Sequence, residues 1–303
     1  MSRSRPRQRS GRENSMSFRW ILLTAALAVG VALTLPAPRI RAQGPDAAQA
    51  QYNLALRLKQ AGRPAEALRA AEEAVRLRPD HAAAHFTIGG LHRQAGRLLE
   101  ALVHFERVIE IEPNDAAGQR MVGSVLARLS RCEEAVPRLE RATQLDDDEV
   151  SGWANLGACL SQLGRHDAAI RAYRSGLRHI PNDPDLLNNL AVALRRAGRD
   201  EEAVEALQSA LARDPDNASF NINLATIFRR MRRWGDAARH YEAGLRRATD
   251  ETGAIFDLAY CYEQLGRSDD AIAAYRRYLE RVRDRDPDAA ARAEERLIGL
   301  GAE

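Results

Sequence analysis

Lysine is almost missing from this chain. Lys59 is the only one, so nearly all of the 45 basic residues are arginine. We read that as composition bias and not as a binding signal. Aromatic residues are scarce at 5%, while Ala and Leu are plentiful, a balance that favours packed helices over sheets. There are three cysteines and no Cys-x-x-Cys pair, which removes the zinc-ribbon and dithiol redox classes. An odd count leaves at least one thiol unpaired. Buried free thiols are the expectation, with a Cys132–Cys159 pair left open. No phosphate-binding loop, dinucleotide glycine fingerprint or Ser/His/Asp arrangement is present, so no catalysis and no cofactor are expected. The seven histidines fall at unrelated places, and His85 and His92, which share a helical face, are expected to pack rather than bind metal.

Charge is unevenly placed. Residues 1–42 hold eight arginines against Glu13, a net of +7 on a chain whose whole net charge is +3, so the remainder carries −4. The body is mildly acidic, which argues against a nucleic-acid partner. The basic head precedes residues 20–35, "WILLTAALAVGVALTL", an uncharged apolar run of 16. A positive head, a short apolar stretch and a small residue at Ala42 describe a secretory signal. Met16 is an alternative start. A retained anchor is the rival reading, although 16 residues fall short of the ~20 that span a bilayer comfortably. The expected location is the bacterial periplasm or cell envelope.

What the chain does have is a ruler. "QAGR" at 60–63 returns at 94–97, and "QLGR" follows at 162–165 and 264–267, all offset by multiples of 34. Blocks of 34 counted from Ala48 give seven units to Arg285 without an insertion. Position 20 is Ala in all seven (Ala67, Ala101, Ala135, Ala169, Ala203, Ala237, Ala271), and position 8 is always Ala or Gly. Positions 4, 7, 8 and 11 make one helical stripe and positions 20, 24, 27 and 28 a second. Gly at position 15 ends the first helix, because glycine takes the left-handed cap cheaply. Pro at position 32 stops the second. Position 16 is Arg in every block, even where Ser130 and Arg232 replace the Gly. The third block also carries Pro137 inside its second helix, which marks it as the expected weak link and bending point.

This pattern resembles the tetratricopeptide-repeat family, most closely in the fourth block with Trp153, Leu156, Gly157, Ala169, Tyr173 and Pro181. The resemblance implies an all-α, right-handed solenoid of antiparallel helix pairs over residues 43–285, closed by a capping helix at 286–303. It also implies protein or peptide partners lying against first-helix positions 2, 5, 6, 9, 12 and 13. Position 6 supplies Asn155, Asn189 and Asn223, similar to the asparagine ladder in the helical-repeat part of O-linked N-acetylglucosamine transferases. Positions 12 and 13 supply Arg128, Arg195, Arg196, Arg229 and Arg230, with Arg120 at position 5, a basic strip suited to an acidic segment. Tyr52, Phe86, Ile222, Phe256 and Tyr260 are the expected apolar anchors near the two ends. The function expected is an exported, non-catalytic scaffold. Its rivals are a membrane-anchored envelope-assembly or chaperone adaptor and a nucleic-acid-reading solenoid like the pentatricopeptide family. The strict 34-residue period and the Ala at position 20 argue against the last.

Overall fold

The computed structural model describes residues 45–302. The apolar run at 20–35, the alternative start at Met16 and the cleavage point at Ala42 lie outside the described residues. Among the described residues there are fifteen helices and no strand. They run as α1 (Pro45–Gln60) and α2 (Pro64–Leu77), α3 (Ala82–Gln94) and α4 (Leu98–Ile111), α5 (Ala116–Arg128) and α6 (Cys132–Leu145), α7 (Val150–Gln162) and α8 (His166–His179). Then come α9 (Pro184–Arg196) and α10 (Asp200–Leu211), α11 (Ala218–Arg230) and α12 (Trp234–Arg247), α13 (Thr252–Gln264) and α14 (Ser268–Val282), and finally α15 (Pro287–Gly299). The second helices begin at 64, 98, 132, 166, 200, 234 and 268, so the 34-residue ruler is a structural period. Among the described residues no helix is long and apolar enough to cross a membrane.

The invariant arginine is the joint of each pair. Its backbone N–H bonds to the carbonyl five residues earlier in all seven copies, from Arg63 to Leu58 through Arg267 to Tyr262, at 2.8–2.9 Å. That bond and the one from position 15 to position 12 close a Schellman turn. The same arginine is the N-cap of the second helix, where its side chain makes no capping bond. Instead the guanidinium reaches the acid three residues on in five joints: Arg63–Glu66, Arg131–Glu134, Arg199–Glu202, Arg233–Asp236 and Arg267–Asp270. Arg97 turns back to donate to His92 Nδ1 at 2.9 Å. Where Gly is lost the turn survives: Ser130 and Arg232 hold φ of 60° and 58°, beside 70–78° for the five joint glycines.

A second device links neighbouring units. In four units the side chain at position 4 donates to the carbonyl six residues earlier, at position 32 of the preceding block. His85 bonds Pro79 at 3.1 Å, Gln119 bonds Pro113 at 3.0 Å, Trp153 bonds Asp147 at 2.8 Å and Asn221 bonds Pro215 at 3.0 Å. Four chemically different residues do one job. His85 therefore does more than pack. Its Nε2 must donate to a carbonyl, so its Nδ1 accepts from His104 Nδ1 at 3.0 Å.

The core runs along the stack. All seven position-20 alanines are fully buried. The helices approach closely at position 8, where a Cβ on Gly123 would sit 2.5 Å from the Leu139 side chain and one on Gly157 2.6 Å from the Tyr173 ring. Cys132, the first residue of α6, is joined to Cys159 of α7 by a disulfide, which corrects the expectation of free thiols for that pair. Cys261 stays free and buried, and burial pushes its thiol up to about 12. α6 continues through Pro137.

Candidate functional site: the inner wall

First helices of successive units touch one another (α5 with α7, α7 with α9, α9 with α11, α11 with α13), and no pair of second helices approaches as closely. A stack whose first helices lie nearer together curves toward them, so their outward positions form the concave wall. The expected site residues lie on those helices.

The asparagines divide. Asn223 Nδ2 donates to Asn188 Oδ1 of the neighbouring unit at 2.8 Å. Asn155 and Asn189 are half-buried and make no side-chain hydrogen bond among the described residues. Asn188, one position earlier, was missed by sequence reasoning, because its role depends on the offset between stacked units.

The arginines divide too. Arg230 is paired with Asp200 at 3.0 Å, and Arg229 with Asp257 at 3.3 Å. Asp257 also accepts from the Tyr241 hydroxyl at 2.9 Å, and that hydroxyl lies 3.1 Å from Thr226 Oγ1. Burial raises the Asp257 carboxyl, against the pull of Arg229 and the Tyr241 bond. Arg120 donates to Ser151 Oγ at 3.2 Å and lies 3.8 Å from Glu149, while Arg196 reaches the Ser161 carbonyl at 3.5 Å. Among the described residues Arg128 and Arg195 have no hydrogen bond or ion pair. Arg128 is exposed. Arg195 is half-buried, and burial, then the charges of Arg196 and Arg230, press its guanidinium below its usual value, opposed by Asp200. A guanidinium stays charged regardless, so Arg195 is a partly desolvated cation with no counter-ion in contact.

The aromatic anchors are held differently at the two ends. Phe256 packs on Tyr275 and Tyr278 with ring centroids 5.3 and 5.1 Å away, and Tyr260 packs on Trp234 and under Arg296 of α15. Ile222 is partly buried against the core. At the other end Tyr52 and Phe86 line an open cavity of about 270 Å³. Among the described residues no group of three His, Cys, Asp or Glu side chains is arranged to hold a metal ion.

A family model described as the Cilia and flagella-associated protein 70 C-terminal domain matches residues 23–257, and one described as Tetratricopeptide repeat matches residues 228–295. Among solved structures the chain is similar to YrrB, described as a TPR protein with an unusual peptide-binding site (25% identity, 57% of this chain and 89% of that one, TM-score 0.54). It is similar in fold to MamA from Desulfovibrio magneticus RS-1 (21% identity, 56% and 96%, TM-score 0.53). It is likewise similar to PilW, described as a widely conserved type IV pilus biogenesis factor (18% identity, 67% and 94%, TM-score 0.57). No curated protein matches the chain.

Proposed function

We propose that this chain, which belongs to the tetratricopeptide-repeat family, is an exported scaffold that binds a protein or peptide in its concave wall and performs no chemistry on it. One observation carries the reading: the inner wall presents polar groups that the fold leaves unused. Asn155 and Asn189 offer amide donors and acceptors to an extended backbone. Arg195 offers a charge without a partner, in a place where a carboxylate would be bound strongly. The acidic preference is narrower than the six arginines suggest, since Asp200 and Asp257 already neutralise Arg230 and Arg229. The description of YrrB as carrying a peptide-binding site supports the same reading.

Export rests on two independent features. The N-terminal run has the form of a signal, and a disulfide such as Cys132–Cys159 persists in oxidising compartments. The mature chain is expected to begin at Gln43, which intact mass of the secreted protein checks directly.

The binding test uses a peptide array probed with the purified protein and with the triple variant Asn155→Ala, Asn189→Ala, Asn223→Ala. Loss of signal across many sequences is expected, because the contact is to backbone. An unchanged array discards the ladder. Arg195→Ala is expected to remove acidic peptides selectively.

A further inference from the structure

The cavity at the N-terminal end of the inner wall has a composition unlike the rest of the groove. Tyr52 and Phe86 stand at the same position in consecutive units and form two of its walls. Both rings are braced, Tyr52 against His81 with centroids 4.9 Å apart and Phe86 edge-on to Phe105 at 5.4 Å. Ala83 and Ala117, both at position 2, leave room between these rings and the end of α4. The remaining wall is acidic. Asp115 caps α5, accepting from the Ala117 and Gly118 N–H groups at 3.1 and 3.2 Å. Glu112 is exposed and makes no side-chain hydrogen bond or ion pair among the described residues. No basic residue lines the cavity.

We infer that this cavity is the seat of a single cationic side chain, arginine in preference to lysine, on the bound partner. An aliphatic side chain would fill the aromatic walls but strip water from two carboxylates without repaying them. A cation satisfies both surfaces: its charge faces the ring quadrupoles and the carboxylates together. Arginine does this best, because its flat guanidinium stacks on a ring while its edge reaches a carboxylate. The inference deepens the groove reading and rests on it. With Arg195 unpaired farther along, the wall runs from acidic to basic. A partner segment is then seated in one direction, its cation over the first two units and its anion over the fifth.

The test titrates the full chain with N-acetyl-arginine amide, N-acetyl-lysine amide and N-acetyl-leucine amide, following backbone amide shifts by NMR. Saturable shifts confined to residues around Tyr52, 82–86 and 112–117 are expected with the arginine probe, weaker ones with lysine and the weakest with leucine. Glu112→Gln, an exposed change that leaves the fold intact, is expected to weaken the arginine probe about fivefold, the upper range for one exposed charge pair. Equal binding of leucine and arginine, or no saturable shift at these residues, overturns the inference. The peptide array separates the two readings. Arginine binding here with an array indifferent to the asparagine variant leaves the cavity standing and removes the asparagine ladder. The reverse pattern removes the cavity alone.

Discussion

Ser130 and Arg232 sit where a side chain meets its own backbone, a placement that costs roughly 1–2 kcal/mol relative to the ordinary helical region. Glycine there avoids most of that cost and loses some through chain entropy. Ser130→Gly and Arg232→Gly are each expected to stabilise the fold by about 0.5–1 kcal/mol, read as a shift in the urea midpoint at constant slope. Gly157→Ala is expected to act the other way, because its added carbon meets the face of a buried ring. The histidine cluster of the second unit gives a pH signature. Burial, then the charges of His85 and His92, hold His104 down at about 4, and burial lowers His85 as well. Arg107 lowers His85 further, while Glu110 and the Pro79 carbonyl oppose the shift. An unfolded histidine titrates near 6.5. Between pH 6.5 and 4 the unfolded chain takes up a proton that folded His104 refuses, so stability falls on acidification and is complete above that window. His104→Gln keeps a donor for His85 and is expected to flatten this slope in denaturation curves recorded across the window.

At the scale of the helix pair, the joints were legible and their workings only partly so. Position 16 announces itself as Arg seven times over, but repetition alone does not say what its side chain touches. The structure gives its side chain a partner in five joints, the acid at position 19. These pairs are exposed and contribute little each; the backbone bond is what the turn needs. The Cys132–Cys159 bridge was left open at the sequence level because pairing depends on how α6 and α7 lie, and spacing in a chain does not state that. It fastens the third unit, which carries Pro137 inside α6, to its neighbour. Reduction, or Cys132→Ser with Cys159→Ser, is expected to lower stability by about 3 kcal/mol for a loop of this length. Hydrogen exchange in α6 and α7 is expected to rise ahead of the flanking helices. Equal protection with and without the bridge would show that the third unit is no weaker than the rest.

For the whole molecule, seven in-phase small residues and a strict period made the solenoid readable from sequence, because a helical stripe is a local property. The inner wall was readable only in outline. Which arginines are free depends on whether an aspartate from an adjacent unit falls beside them, as Asp257 of the following unit does for Arg229 and Asp200 of the preceding one for Arg230. The far end is finished by α15, which buries Ala289, Ala290, Ala293 and Leu297, lays Arg296 over Tyr260 and pairs it with Glu263 at 3.1 Å. Removing residues 287–303 is expected to bare the apolar face of the last pair, lower the melting temperature and increase binding of a hydrophobic dye. A truncated chain that melts unchanged would mean the seventh pair closes the stack unaided.

The bond from position 4 to the preceding turn has a consequence for how such a chain changes over time. Histidine, glutamine and asparagine at 85, 119 and 221 are reached from one another through single base changes by way of histidine, and each step keeps an N–H to donate. A copied unit can therefore wander through these codons without ever losing its grip on its neighbour. Divergence in letters at that position is a path along which selection sees nothing happen.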